Sequence, residues 1–140
     1  MIAKVLPGAA AIFLFTAGAV AAPPMVVTDE KTIAKDEPPP HGAIGMSTVS
    51  AFSASAPGRM MEFKKRVLHK GAALGLHPIA HDEVYYVVSG TGEVVSDGDK
   101  KIMTAGMAAY LYNGANVGIS QMGEEPLVLI VAYPLAAPAK

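Results

Sequence analysis

Strand-length runs separated by single tight turns set the strongest limit on what this chain can fold into. Residues 83–90 read EVYYVVSG and residues 92–103 read GEVVSDGDKKIM. β-Branched and aromatic residues favour extended chain, and Asp97-Gly98 is a typical hairpin turn. Similar runs recur at 59–69, 107–120 and 126–135, and no stretch beyond residue 42 has a helical period. This part of the chain therefore predicts an all-β fold, an antiparallel sandwich or barrel.

Length and charge narrow the function classes. The chain has 140 residues, enough for one small domain, with a formal net charge of −1 and only 16% charged residues. Nucleic acid is therefore not expected as a partner, because its binding needs clustered Lys and Arg. With no cysteine, the fold gains nothing from disulfides, and its stability must come from core burial, ligand binding or association.

The first 21 residues have the layout of a secretory signal peptide. Lys4 precedes an uncharged apolar stretch, and Ala19-Val20-Ala21 offers a small-residue cleavage site. The alternative is an uncleaved membrane anchor, but the apolar run falls short of the roughly 20 residues that a spanning helix needs. We therefore predict cleavage near Ala21, a periplasmic or secreted protein, and no stable membrane span after cleavage.

Residues 22–41 are predicted to be a proline-rich linker or arm before a barrel domain at 42–140. The stretch TDEKTIAKDEPPPHG is charged and has no periodicity, and three consecutive prolines favour extended chain over helix. Two interpretations remain open, plain disorder and an arm that lies along a neighbouring subunit. His41, at the end of this segment, is expected to contact only solvent.

Two glycine-framed motifs resemble those of the cupin family. Gly71, His77, Glu83 and Gly90 fit the first motif, with Ile79 at the place of its second histidine. The second motif matches at Gly106 and Gly114, and the departures from it are Tyr112, Val117 and Gln121 at the proline, histidine and asparagine positions. The resemblance covers about residues 42–135. It implies a double-stranded β-helix, the antiparallel jelly-roll barrel, whose usual metal positions here hold His77, Ile79, Glu83 and Val117.

The segment HPIAHDEV (77–84) carries the candidate metal ligands. In a regular strand, alternate residues share one face, so His77, His81 and Glu83 would point into the barrel together. Two imidazoles and a carboxylate can hold a divalent transition metal such as Mn, Fe, Ni, Zn or Cu. Three interpretations remain open: His81 replaces the missing histidine, or no metal binds and the barrel is a ligand pocket, or His81 points to solvent while His77 pairs with Glu83.

A small-molecule pocket is expected beside these residues. Its candidate lining is Ile79, Tyr85, Tyr110, Tyr112, Val117 and Gln121, although the tyrosines also suit ordinary strand packing. In the run RMMEFKKRVLH, alternation places Phe63 and Val67 opposite Lys64 and Arg66. We interpret this short basic run as a solvated sheet edge.

Three functions stay open at this stage. The first is an exported metal-dependent enzyme acting on a small organic or sugar acid. The second is a non-catalytic, metal-free module that binds a small, partly apolar ligand. The third is an assembly role, since the resemblance implies a homodimer with a sheet-to-sheet interface.

Overall fold

A computed structural model of the protein describes residues 20–42 and 44–136. The predicted signal peptide therefore lies outside the described residues except for its last two positions. Within the described part, no helix is long and apolar enough to cross a membrane. Its elements in chain order are α1 Glu30–Ile33, β1 Lys35–Glu37, β2 Ser47–Ala51, β3 Met61–Leu68, β4 Ala73–Pro78, β5 Glu83–Ser89, β6 Thr91–Ser96, β7 Asp99–Thr104, β8 Ala108–Leu111, β9 Asn116–Met122 and β10 Leu127–Pro134.

The strands form two antiparallel sheets. The large sheet has the order β1-β2-β3-β10-β5-β8, and the small sheet has the order β4-β9-β6-β7. From β3 to β10 the chain passes repeatedly from one sheet to the other, and all pairings among the described strands are antiparallel. This is the double-stranded β-helix, so the predicted all-β jelly-roll fold is confirmed.

The turn between β6 and β7 is built by its sequence. Asp97 and Gly98 both have positive φ, 49° and 84°, as a two-residue type I′ hairpin requires. The Asp97 carboxylate also accepts a hydrogen bond from the Asn116 N–H at 2.8 Å, which ties the turn to the start of β9. The predicted hairpin is therefore present, with its register fixed by the turn.

One half of the barrel interior is packed with aliphatic side chains, and we call it the apolar end. Leu127 of β10 lies opposite Leu68 of β3, and Leu129 lies opposite Val87 of β5. Each of these side chains is fully buried, and burying one contributes about 1.5–3 kcal/mol. The apolar end comprises Leu68, Val87, Met103, Ile119, Leu127 and Leu129.

Strand β3 turns its charged face towards the interior, although its hydrophobic residues favour the opposite orientation. Glu62 and Arg66 are buried, whereas Met61 and Phe63 are about half exposed. The expected solvated edge at the basic run is wrong, because β3 lies inside the large sheet between β2 and β10. Hydrogen-bond partners inside the fold make this burial of polar groups tolerable.

Part of the predicted linker belongs to the barrel. Asp29 caps α1, accepting a hydrogen bond from the Lys31 N–H at 3.0 Å. The next residues form β1, an edge strand that pairs with β2 through Lys35–Val49 and Glu37–Ser47. The Lys65 ammonium holds the Glu30 carboxylate in an ion pair. Residues 35–37 thus extend this chain's own sheet, and a contact of the arm with a neighbouring subunit stays a prediction.

Candidate functional site

A cavity of about 340 Å³ lies between the sheets at the end of the barrel opposite the apolar end, partly open to solvent. This volume falls within the range of small-molecule sites. Its walls combine charged, aromatic and aliphatic side chains. The lining residues are Pro40, His41, Lys64, Arg66, Leu74, His77, Pro78, Ile79, Ala80, His81, Glu83, Tyr85, Val131 and Tyr133.

The connection between β4 and β5 brings the predicted ligand residues to the cavity. Ile79 is anchored by its N–H donating to the Ala115 carbonyl at 3.0 Å. Asp82 accepts hydrogen bonds from the Tyr110 hydroxyl at 2.5 Å and the Asn113 N–H at 2.9 Å. These contacts fix the crossing from the small sheet to the large sheet. His77, His81 and Glu83 all line the cavity as a result.

His77 is held in one tautomer and one orientation. Its Nδ1 lies 2.9 Å from the Gly75 carbonyl oxygen. Because a carbonyl only accepts, Nδ1 carries a proton, and in the neutral ring Nε2 keeps its lone pair. The His77 ring also stacks on the His41 ring, with centroids 3.6 Å apart and planes 8° from parallel.

Glu83 is an acid in a confined place. Burial raises the pKa of its carboxyl group, although the positive charges of Lys64 and His77 act in the opposite direction. Its Oε2 lies 3.8 Å from the His81 Nε2. Burial, and then the neighbouring Glu83 charge, also raise the pKa of Tyr85. Because burial raises its pKa, the Glu83 carboxyl group holds its proton more readily than an exposed glutamate does.

Two cations of β3 oppose this single acid. Lys64 donates to the Tyr133 hydroxyl at 3.3 Å, and no carboxylate among the described residues forms an ion pair with it. Arg66 is almost fully buried, donating from Nη1 to the Ser47 hydroxyl at 2.7 Å and from Nη2 to the Glu37 carboxylate at 3.2 Å. On the wall itself two cations therefore face one carboxyl group, and Glu37 balances the charge of Arg66 while Lys64 has no such partner.

The donor set fits a resident metal poorly. In the described part of the chain, no three His, Cys, Asp or Glu side chains are grouped so that they could hold an ion. Ile79 and Val117, at two of the usual cupin ligand positions, are 5% and 0% exposed and have no donor atom. The His81–Glu83 pair converges, but His77 stacks on His41 instead of joining it. Metal binding by His77, His81 and Glu83 stays a prediction.

The predicted pocket residues divide into two groups. Ile79 and Tyr85 line the cavity, whereas Val117 is buried outside its lining. Tyr110 and Tyr112 do not line it and are 56% and 69% exposed, because Tyr110 lies on β8, the edge strand of the large sheet, and Tyr112 follows the end of that strand.

Gln121, also predicted for the pocket, is buried in a structural position. Its side-chain oxygen accepts from the Gly71 N–H at 2.7 Å, and its amide nitrogen donates to three carbonyls, the closest that of Glu125 at 2.7 Å. These contacts hold together the turns that adjoin the apolar end, so Gln121 lies outside the cavity lining.

Four cavity residues with polar or charged side chains were not predicted from the sequence: His41, Lys64, Arg66 and Tyr133. The alternation of β3 contained a signal for two of them, since Lys64 and Arg66 share a face with Leu68. Tyr133 follows Leu127, Leu129 and Val131 at the same spacing of two. His41 had no comparable signal, because it lies in the turn between β1 and β2, outside any strand. The expectation that it contacts only solvent is wrong, since its ring stacks on that of His77.

The comparisons with known proteins identify the class. The family model for the cupin domain matches residues 58–133, more than half of the chain, so the protein belongs to the cupin family. No curated protein sequence matches it. The similar solved structures described next are at most 24% identical to it, which shows the shared fold alone.

Three of these structures illustrate the range of similarity in sequence and fold. A predicted oxalate decarboxylase from Thermotoga maritima is 21% identical over 80% of this chain and 100% of that chain, with a TM-score of 0.71. An RmlC-like cupin from Shewanella frigidimarina is 24% identical over 66% and 78%, with a TM-score of 0.57. KdgF from a Halomonas species is 23% identical over 64% and 80%, with a TM-score of 0.55.

Proposed function

We propose that this cupin binds a small organic or sugar acid in its barrel cavity and needs no resident metal to do so. The observation that carries the proposal is a cation on the cavity wall, Lys64, with which no described carboxylate forms an ion pair. Lys64 has no carboxylate partner among the described residues, and the one acid, Glu83, is biased towards its neutral form by burial. An entering carboxylate would supply the missing negative charge.

The two sides of the cavity suit the two parts of such a ligand. The Lys64 ammonium and the unused N–H groups of Arg66 provide charge-assisted hydrogen bonds for a carboxylate. Leu74, Ile79 and Val131 form an apolar surface for a short carbon skeleton. Such charged hydrogen bonds contribute about 1.5–3 kcal/mol each when water is excluded.

Ligand-induced stabilisation tests this proposal. Thermal unfolding is measured with oxalate, malonate, citrate and D-galacturonate, and with D-galactose as the neutral counterpart of the sugar acid. At 100 times its Kd, a bound acid should stabilise the fold by about 2.7 kcal/mol, and D-galactose should have little effect. Equal shifts with the acid and the neutral sugar would contradict recognition of the carboxylate.

A pair of adjacent lysines provides a matched test of the site. Lys64→Met should weaken acid binding by at least tenfold, about 1.4 kcal/mol, because it removes the unpaired cavity cation. Lys65→Met removes the same charge from the opposite face, where Lys65 pairs with Glu30 outside the cavity. Isothermal titration should therefore separate the two variants, and equal losses of affinity would contradict the cavity as the site.

Proton transfer is a second candidate function, favoured by the raised pKa of Glu83. In its ionised form, a carboxylate with a raised pKa is a stronger base, so it can take a proton from a carbon atom of a bound acid and return it at another atom. This supports an isomerase or lyase activity. Exchange of solvent deuterium into the carbon-bound positions of a bound acid would reveal it by NMR, and Glu83→Gln should abolish that exchange.

A metal-dependent form of the protein remains the other prediction from the sequence. If His77, His81 and Glu83 hold an ion, Mn²⁺ or Zn²⁺ should raise the melting temperature, and His77→Ala should remove that rise. Elemental analysis after reconstitution provides the independent measurement. Acid binding that persists unchanged in a chelator would support the metal-free site.

Export is proposed on the N-terminal sequence alone. The uncharged stretch after Lys4 and the Ala19-Val20-Ala21 site favour a cleaved signal peptide. Mass spectrometry of the protein from a periplasmic or secreted fraction should find an N-terminus at Ala22. An intact first residue in that fraction would contradict cleavage.

Homodimer formation is proposed on the resemblance to cupins. A second groove, on the small sheet, is lined by the apolar side chains of Ile44, Leu76 and Val95 beside the Glu93–Lys100 ion pair, and another sheet could cover this surface. Light scattering on the purified protein should give twice the mass of one chain. A monomer at high concentration would refute the proposal.

A further inference from the structure

We propose that the last part of the arm, residues 35–41, forms one wall of the acid-binding site. Glu37 would be a positioning residue for Arg66, and His41 would contact the ligand. The inference rests on the proposed function and deepens it. It concerns residues that precede the matched cupin-domain region, which begins at residue 58.

The first observation is the contact between the arm and the buried cavity cation. Glu37 accepts from the Arg66 Nη2 at 3.2 Å, and the Ser47 hydroxyl, which accepts from Nη1, donates to the Glu37 backbone carbonyl at 2.9 Å. The arm therefore contacts the guanidinium directly through the Glu37 carboxylate and indirectly through Ser47 of β2. Arg66 keeps N–H donors beyond these two bonds, and their direction is set by Glu37 and Ser47.

The second observation is the position of the arm's last turn. Pro40 and His41 line the cavity, and the Pro40 carbonyl accepts from the Gly75 N–H at 3.4 Å. His41 adopts φ 68°, a left-handed conformation that non-glycine residues rarely take and that costs about 1–2 kcal/mol. The stack of its ring on the His77 ring offsets this conformational cost and holds the His41 side chain at the cavity mouth.

The electrostatic surroundings agree with this placement. Burial, and then the positive charges of His77, Lys64 and Arg66, lower the pKa of His41. The imidazole thus shares the region of the two β3 cations. A carboxylate held by Lys64 and Arg66 would lie within reach of the arm, which would exclude water from one side of it.

Neighbouring carboxylates of β1 provide a matched test of Glu37. Glu37→Gln should weaken D-galacturonate and malonate binding about fivefold or more, because a neutral partner holds the guanidinium less firmly and its free N–H groups lose their direction. Tighter binding, which the loss of a negative charge alone would give, would contradict the positioning role. Asp36→Asn removes the same charge from the adjacent position, whose carboxylate accepts from the Thr48 hydroxyl at 2.6 Å. It should leave affinity unchanged.

The positioning role has a further readout. Glu37→Asp should restore part of the preference for D-galacturonate over D-galactose, whereas a merely structural role would change both affinities together. Equal affinity for the acids in the wild type, Glu37→Gln and Asp36→Asn would overturn the role of Glu37.

A measurement without ligand tests the wall itself. Protons of the His77 imidazole lie over the His41 ring, so the NMR signals of His77 should move downfield in His41→Asn. Asparagine tolerates positive φ, which keeps the turn. His69→Asn, at a histidine outside the cavity lining, should leave the His77 signals in place. Unchanged His77 signals in His41→Asn would overturn the arm as a wall.

The two failures are distinguishable. If His41→Asn moves the His77 signals but the wild type binds neither acid, the proposed function is refuted and the arm is supported as a wall of the cavity. If the wild type binds acids with unchanged affinity in His41→Asn, the contact between His41 and the ligand is refuted while the proposed function stands.

Discussion

The two ends of the barrel interior are built by the same strands and differ sharply in chemistry. β10 contributes Leu127 and Leu129 to the apolar end but Tyr133 to the cavity, and β5 contributes Val87 to one and Glu83 to the other. The apolar end is closed and tightly packed, whereas the cavity is open and contains charged groups. One regular sheet can thus combine a stabilising half with a half whose side chains favour binding over stability.

The contrast between the two ends indicates which contacts stabilise the fold. At the apolar end, the removal of apolar surface from water is the main source of stability. In the cavity, burial of Glu83 and of the unpaired Lys64 opposes stability, because charged groups lose water there. We therefore expect changes at the apolar end to alter the unfolding free energy most, and changes in the cavity to alter binding.

The largest effect is expected at the centre of the apolar end. Leu129→Ala should lower the unfolding free energy by about 2–5 kcal/mol, because it removes buried methyl groups and leaves a cavity. Urea unfolding followed by circular dichroism measures it. Ile102→Ala is the control, since that side chain is 49% exposed on β7 and should cost far less. Similar losses in both variants would contradict the contrast.

The next effect concerns the polar contacts beside the apolar end. Gln121→Leu should lower the unfolding free energy by about 1–3 kcal/mol, because the Gly71 N–H and three turn carbonyls lose a buried partner. The comparison variant is Gln121→Glu, which keeps the acceptor for Gly71 but loses the donor. A stability of Gln121→Leu equal to that of the wild type would show that water replaces these bonds without cost.

A smaller effect is expected for a charge in the cavity. Lys64→Met should leave the unfolding free energy within about 1 kcal/mol of the wild type, or raise it, because a half-buried unpaired ammonium is replaced by an apolar chain of similar length. Urea titration of the same protein used for the binding measurement provides the value. A loss as large as that of Leu129→Ala would remove the distinction between the two ends.

The smallest effect appears in the pH dependence. Since the pKa of Glu83 is raised above its ordinary value of 4.5, the folded protein holds this proton at a pH where the unfolded chain has released it. The unfolding free energy should therefore decrease as the pH rises from about 4.5 through the folded-state value. Glu83→Gln should remove this decrease, and Glu93→Gln, in an exposed pair with Lys100, should retain it.

If the unfolding free energies of Glu83→Gln and the wild type changed in parallel between pH 4 and pH 8, the raised pKa of Glu83 would be contradicted. The comparison uses differences between variants because Glu37 and Asp82 have lowered pKa values, which give the opposite slope. Those carboxylates stabilise the fold above their ordinary pKa values, and this contribution is lost as the pH falls through their folded-state values.

Much of the fold followed from local patterns. The Asp97-Gly98 turn and the β-branched runs predict their strands because backbone preferences act over a few residues. Alternation within β5 also gave the inward set correctly, since Glu83, Tyr85 and Val87 are all buried. The assumption of one regular strand from His77 onward is wrong, because β4 ends at Pro78 and β5 begins at Glu83 in the other sheet.

The inward face of β3 could not be read from the sequence in the same way. Hydrophobic pattern alone places Glu62 and Arg66 in solvent, yet both are buried. Arg66 is satisfied by Glu37, 29 positions away, and this partner is defined only once β1 has joined the sheet. The sequence therefore predicted neither the pairing of β1 with the sheet nor the burial of Arg66, because each of these two features stabilises the other.

The crossing between β4 and β5 gives the cavity a mechanical property. His77 belongs to the small sheet and Glu83 to the large sheet, and the two sheets have no strand ladder between them. A molecule that contacts both residues would join two layers that are otherwise held by side-chain packing. Occupancy should therefore slow amide hydrogen exchange at both layers at once, including strands that never touch the guest.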